Sequence, residues 1–281
     1  MRTFRIFLAA AAICFTAIPV LAVTPKELQD RGFVRMGFSN EIPFSYAAAN
    51  GTLGGIDYEV MKHVLSELGI TSIDGVLTPF GSLIPGLKAG RFDVVATGLY
   101  IRPDRCQQVA FSEPTMVVSS AVIVPSGNPK KIHSFQDVAA DPHFRLGYVV
   151  GGTQAVAKAG NVRDDQFVSF TDVLTAVSAL KAGRVEGVLR TYIDAVQVVN
   201  DAGQGAIEVA QPFAAPVKDG KPLINYIGFA FRTEDKELLA AFNRALTKFL
   251  GSPEHQALLK KYQIIQPAYP IDKSTAELCR G

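Results

Sequence analysis

The 281-residue chain has no tryptophan, three cysteines and four histidines, and its formal net charge is only +2 at pH 7. Each shortage excludes a class of function. His63, His133, His143 and His255 are scattered without metal-ligand spacing, no glycine motif cradles a phosphate, and no Ser or Cys nucleophile has a placed base. No metal and no cofactor is therefore expected. A surface with balanced charge argues against nucleic acid or an anionic membrane as partner. Beyond the first 22 residues, no run is long and apolar enough to span a bilayer.

The one long apolar run stands at the start. MRTFRIFLAAAAICFTAIPVLA has Arg2 and Arg5, no acid, an apolar centre and a Val20-Leu21-Ala22 ending, which reads as a secretory signal peptide over 1–22 with cleavage after Ala22. Of 281 residues 259 then remain, with 26 basic against 26 acidic side chains, enough for two lobes of about 100 to 150 residues each. Cys106 and Cys279 also remain, and in an exported chain such a pair reads as a disulfide, with two reduced, unrelated thiols as the alternative. That bridge would pin the C-terminal tail beside Arg105.

The rest of the chain is organised around 87–106, LKAGRFDVVATGLYIRPDRC. A helix ends at Gly90, a buried strand runs over 92–96, and a polar turn delivers Thr97, Tyr100, Arg102 and Arg105 to one place. LKAGRVEGVLRT at 180–191 echoes LKAGRFDVVATG at 87–98, with Asp93 matched by Glu186 and Gly98 by Thr191. The echo implies two similarly built lobes with a site between them.

Strands alternate with helices before and after the turn-rich PSGNPKK, the pattern of doubly wound α/β lobes in which ligands sit beyond the C-terminal strand ends. Strands are expected at 32–38, 75–80, 92–96, 119–124, 145–150, 185–189 and 224–231. Helices are expected from Ile56 to Leu68, after Ser82, from Asp172 to Ala182 and in two final segments, 236–250 and 253–262. The strand at 224–231 would bring the chain back, so lobe one is expected over 23–124 plus 223–281 and lobe two over 125–222.

The order RMGFSNEIPFSY, GIDYEVMKHV, FGSLIPGLKAGRFDVVATGLYIRPDRCQQVAFSEP, GGTQ, LKAGRVEGVL and YIGFAFRTED resembles the periplasmic solute-binding proteins of polar amino-acid ABC importers, over essentially the whole mature chain. Within that family the chain looks most similar to the ectoine- and hydroxyectoine-binding proteins. The resemblance implies a two-lobe α/β fold of type II with two hinge crossings, no enzymatic activity, a small zwitterionic ligand, and a membrane permease as partner of a periplasmic monomer.

It also implies site residues. Arg105, two places after the turn Pro103, falls where the family binds the ligand carboxylate, and a guanidinium fork suits that task. The residues alone leave open a surface arginine paired with Asp104 or Glu113. Phe44, Phe80 and Tyr100 would form a box in which each ring face adds roughly 0.5 to 2 kcal/mol toward a cation. Read by themselves, they are core aromatics, as aromatics usually are. Glu41 matches the family's acidic group facing the ligand cation, or is a solvated loop acid. Thr97 and Gly98 would offer main-chain groups, while Gly152 and Thr153 in GGTQ would meet the carboxylate from the second lobe. Thr191 stands where many family members have an Asp for a free α-ammonium, and Tyr100 where a small polar residue is usual. Both departures favour a delocalised or alkylated cation. Another betaine or polar amino acid, and an exported cyclic-acid dehydratase on the same scaffold with Glu41 as its acid or base, remain alternatives.

Overall fold

The computed structural model describes residues 22–152, 154–203, 205–218, 220–264 and 271–280. The expected signal peptide, up to residue 21, and Thr153 lie outside the described residues. Among the described residues no helix is long and apolar enough to cross a membrane.

Two five-stranded sheets carry the fold. The first runs in the order Ser72–Leu77, Phe33–Phe38, Val94–Val95, Ala230–Phe231, Ala110–Phe111; the second runs Phe167–Phe170, Leu146–Val149, Gly187–Thr191, Ser120–Pro125, Ile207–Val209. In each sheet the first three strands are parallel and the fourth is antiparallel to both its neighbours. Both sheets are covered on both faces, as the apolar runs require. Ile56–Glu67 and Lys236–Phe249 bury stripes that include Val60, Met61, Leu238 and Phe242 against one face of the first sheet. Leu83 and Leu87 cover the other face. In the second sheet Phe135 and Val138 pack on one side, and Ala176, Val177 and Leu180 on the other.

The sequence echo marks corresponding positions in the two lobes. Leu83–Lys88 leads into Val94–Val95, and Val173–Lys181 into Gly187–Thr191, each strand lying parallel beside its own sheet's Phe33–Phe38 or Leu146–Val149. Asp93 Oδ2 accepts from Arg35 N at 2.9 Å, and Glu186 Oε2 accepts from Arg145 N at 2.7 Å. The matched acids thus close the same backbone gap at the start of the third strand in each lobe, and each also pairs with the guanidinium of that arginine.

Several boundaries differ from expectation. The strand expected at 75–80 is Ser72–Leu77, because pairing with Phe33–Phe38 runs from Phe33↔Ser72 to Phe38↔Leu77. Pro79 has no N–H to continue it, and Phe80–Ser82 is a 3-10 turn. The strand expected at 224–231 is two pieces: Asn225–Ile227 pairs with Met116–Val118 where the chain crosses between lobes, and Ala230–Phe231 enters the first sheet. Ser120–Pro125, expected inside lobe one up to residue 124, is hydrogen-bonded in the second sheet, so the first crossing comes near Ser119. Helices at Pro25–Arg31, Phe135–Ala140, Tyr192–Asp201 and Thr275–Arg280 add to the expected set.

Cys106 and Cys279 are joined, which fastens the last helix to the one-turn helix Pro103–Cys106 that bears Arg105. The tail is held further by Tyr226 Oη, which donates to Asp272, and by Thr275 Oγ1, which donates to Ser112 O at 2.6 Å. Tyr226 lies in the crossing strand. The C-terminal segment therefore wraps both the crossing and the Arg105 turn.

Candidate functional site

The C-terminal strand ends of the two sheets face each other across a cleft. Glu41, Phe44, Phe80, Thr97, Gly98, Tyr100 and Arg105 come from the first lobe, and Gly152 and Thr191 from the second. Nine of the ten residues singled out from sequence thus line one cavity, and the tenth, Thr153, lies outside the described residues. Val149, Leu189 and Arg190 complete its walls.

Arg105 is 5 % exposed, and both its terminal nitrogens donate to main-chain carbonyls. Nη1 donates to Tyr100 O at 2.8 Å, and Nη2 reaches across to Gly151 O at 2.6 Å. Asp104 pairs with Arg102 and reaches Arg105 only by its charge at a distance, and Glu113 Oε2 accepts from Thr275 N. Among the described residues no acid forms an ion pair with Arg105. Burial, with Arg102 nearby, pulls its pKa down to about 9. Phe80 lies beneath the guanidinium, 5.8 Å from carbon to ring centroid.

The opposite end of the cleft has acid in excess. Glu41 pairs across the cleft with Arg190, whose Nε pairs with Asp194. All three side chains are at least nine-tenths buried. Burial raises the pKa of Glu41, with Arg190 opposing. Burial also works against the charge on Arg190, but Asp194 and Glu41 outweigh it and hold the guanidinium protonated. With all three ionised, the cluster carries one net negative charge.

Between these ends, Tyr100 Oη and Thr191 Oγ1 share a hydrogen bond across the cleft. Burial pushes the Tyr100 phenol up to about 12, so it stays neutral there. Gly98 sits at φ +70, and a Cβ on it would fall 2.6 Å from the Phe44 ring, so only glycine allows that ring to lie against the turn. Its N–H donates to Asp57 Oδ2 at 2.6 Å, and burial raises this carboxyl to about 6 despite that bond. Thr97 Oγ1 accepts from Ser39 N at 3.3 Å, joining two strand ends. Arg102 Nη1 donates to Gly152 O at 3.1 Å, a further contact across the cleft. Gly151 permits the lobes to meet this closely, since a Cβ on it would lie 2.8 Å from Gly81 Cα.

Sequence reasoning missed Arg190, although the echo held the clue. Aligning 87–98 with 180–191 sets the site residue Thr97 against Arg190. Asp194, four residues later, is the acid that a buried arginine on that strand end needs. Asp57 reads in sequence only as a favourable charge in a helix first turn, whereas in the fold it buttresses the Gly98 turn.

Two lobes joined by two crossings, with a buried cleft of separated charges between them, define a protein that captures a small polar solute. The chain belongs to the bacterial extracellular solute-binding proteins, family 3, whose model matches residues 34–264. It is 35% identical over 276 residues, 96% of this chain and 91% of the relative, to the probable amino-acid ABC transporter periplasmic-binding protein y4tE of Sinorhizobium fredii. The lysine/arginine/ornithine-binding periplasmic protein of Escherichia coli is 28% identical over 227 residues, covering 78% of this chain and 83% of that one. The crystal structure of EhuB in complex with hydroxyectoine is similar with a TM-score of 0.80 at 28% identity, covering 91% of this chain and 97% of the other. The fold is therefore the two-lobe periplasmic binding-protein fold, and the chain is a binding protein rather than an enzyme.

Proposed function

We propose that this protein is the periplasmic solute-binding component of an amino-acid ABC importer and that it captures a compact zwitterion, ectoine or hydroxyectoine, for a membrane permease. The observation that carries this reading is Arg105: a buried guanidinium in the cleft wall that donates to two main-chain carbonyls and forms no ion pair among the described residues. A ligand carboxylate supplies the missing counter-charge. The cation of the same ligand then sits toward Phe44, Phe80 and Tyr100 and the Glu41–Arg190–Asp194 cluster. Neutral Thr191 in the second wall suits a positive charge spread over a ring. The likeness to EhuB with hydroxyectoine supports the same ligand class.

In this reading the lobes comprise about 23–118 with 225–281, and about 120–222, and they close as one monomer about the crossings Met116–Val118 and Asn225–Ile227. The competing reading is a basic or other polar amino acid, in line with the lysine/arginine/ornithine-binding relative. It is disfavoured because Arg190 already occupies Glu41.

Calorimetry on the processed protein with ectoine, hydroxyectoine, glycine betaine and the standard amino acids tests the proposal. Ectoine or hydroxyectoine should bind most tightly. No heat with either, beside tight binding of a primary α-amino acid, overturns the ligand assignment.

A further inference from the structure

A second cluster of buried charge lies far from the cleft, at the base of the first lobe. Asp235 is fully buried ahead of the helix Lys236–Phe249. Its Oδ1 accepts from the main-chain nitrogen of Val23 at 2.7 Å. Its Oδ2 has no hydrogen bond, although Arg232 Nη2 stands 2.9 Å away. Arg232 serves two acids at once: its Nη2 is also 3.8 Å from Asp93 Oδ1, and its Nη1 donates to Phe92 O at 2.8 Å. Asp93 has two further cations, Arg31 and Arg35, whereas Glu234 adds a like charge near Asp235. Burial accordingly raises the pKa of Asp235, with Val23 N–H and Arg232 opposing.

The Val23 nitrogen is held in place by the helix directly after it. Thr24 caps Pro25–Arg31 with a full capping box, its side chain accepting from Glu27 N while Glu27 reaches back to Thr24 N. Val23 packs on the first lobe's core, whereas Ala22 is exposed. The last residue of the expected leader thus stands at the surface, and the first residue of the expected mature chain sits against a buried carboxylate.

We propose that removal of the leader completes this charge cluster: the α-ammonium of Val23, created by cleavage after Ala22, is a structural cation paired with Asp235. This rests on the reading of 1–22 as a leader removed by a signal peptidase. Hydrolysis of the Ala22–Val23 peptide bond consumes one water, leaves a carboxylate on Ala22, and leaves on Val23 an amine that takes up a proton. The amide that only donates a hydrogen bond to Asp235 becomes a full positive charge at the same place. The unprocessed chain therefore has a less stable first lobe than the mature one, and processing itself tightens the fold.

Pairing also sets the sign of the pH effect. An α-ammonium ordinarily titrates at about 8, and pairing with Asp235 raises that value in the folded protein. Its contribution is complete below about 8 and is lost as pH rises through the raised value.

The test compares two chains made with defined N-termini by cleaving a fusion partner, one starting at Val23 and one retaining Ala22 in front of it. At pH 7 the extended chain should melt about 2–4 °C lower. The gap should vanish in an Asp235→Asn background and shrink in alkali; if Asp235→Asn fails to fold, the alkaline arm decides. Equal melting temperatures at pH 7 overturn the ion pair. Intact mass of the exported protein tests the leader reading separately: a start at Val23 is expected, and any other start overturns processing as the source of the cation.

Discussion

Glu41 of the first lobe and Arg190 of the second form a buried ion pair across the cleft, and Asp194 holds Arg190 from behind. The pair is a latch between the lobes and an internal cation placed on the cleft's acid. Lysine or arginine as ligand would have to displace it. A compact zwitterion need not.

Replacing Arg190 with Gln should therefore change ligand preference. Glu41 and Asp194 would be left as unpaired buried carboxylates, a costly arrangement that favours uptake of an external cation. Calorimetry should show L-arginine or L-lysine binding strengthened relative to ectoine by at least about tenfold, equivalent to about 1.4 kcal/mol. Unchanged preference would mean that Arg190 has no part in selection.

Arg105→Ala should remove binding without harming the fold. Losing one partner of a buried charge pair costs about 2–5 kcal/mol, which is roughly 30-fold or more in affinity. The melting temperature of the unliganded protein should hold or rise, because a buried cation without an acid partner is gone. Arg105→Lys should not restore affinity, since an ammonium cannot offer two parallel donors. Retained binding in the Ala variant would place the carboxylate elsewhere.

Asp57 makes a prediction in pH. Its carboxyl titrates at about 6 in the fold against a value near 4 when unfolded, so the folded state holds a proton the unfolded state has lost. Stability from this group is highest below about 4 and declines as pH rises through 6, by about 3 kcal/mol as an order of magnitude. Asp57→Asn can keep an acceptor for Gly98 N–H and should abolish that component. Denaturant titrations of both proteins at pH 4.5 and pH 7.5 check it: the variant should gain on the wild type at the higher pH. An equal difference at both pH values would contradict it.

Much of the site was legible because strand ends and turns are local. Thr97, Gly98, Tyr100 and Arg105 lie within nine residues after one strand, so placing the strand placed them. Phe44 and Phe80 stood at two other strand ends, and the parallel pairing of Phe33–Phe38 with Ser72–Leu77 brings those ends together. Arg190 was not legible in the same way. An arginine at the end of an apolar strand reads as the first solvated residue, and only the closed lobes bury it between Glu41 and Asp194.

The sequence by itself pointed to the two-lobe plan and the repeated helix-to-strand unit, because these rest on periodicity and turn chemistry, and it offered a Cys106–Cys279 bridge that the fold then joins. Tertiary structure alone decided where charge is satisfied. Arg105 forms no ion pair among the described residues, Asp57 holds a turn, Arg190 bridges the lobes and Asp235 waits at the Val23 nitrogen, 212 positions away in the chain. Whether a charge is paired or left for a ligand depends on which groups burial brings within a few ångströms, and spacing along the chain carries no record of that.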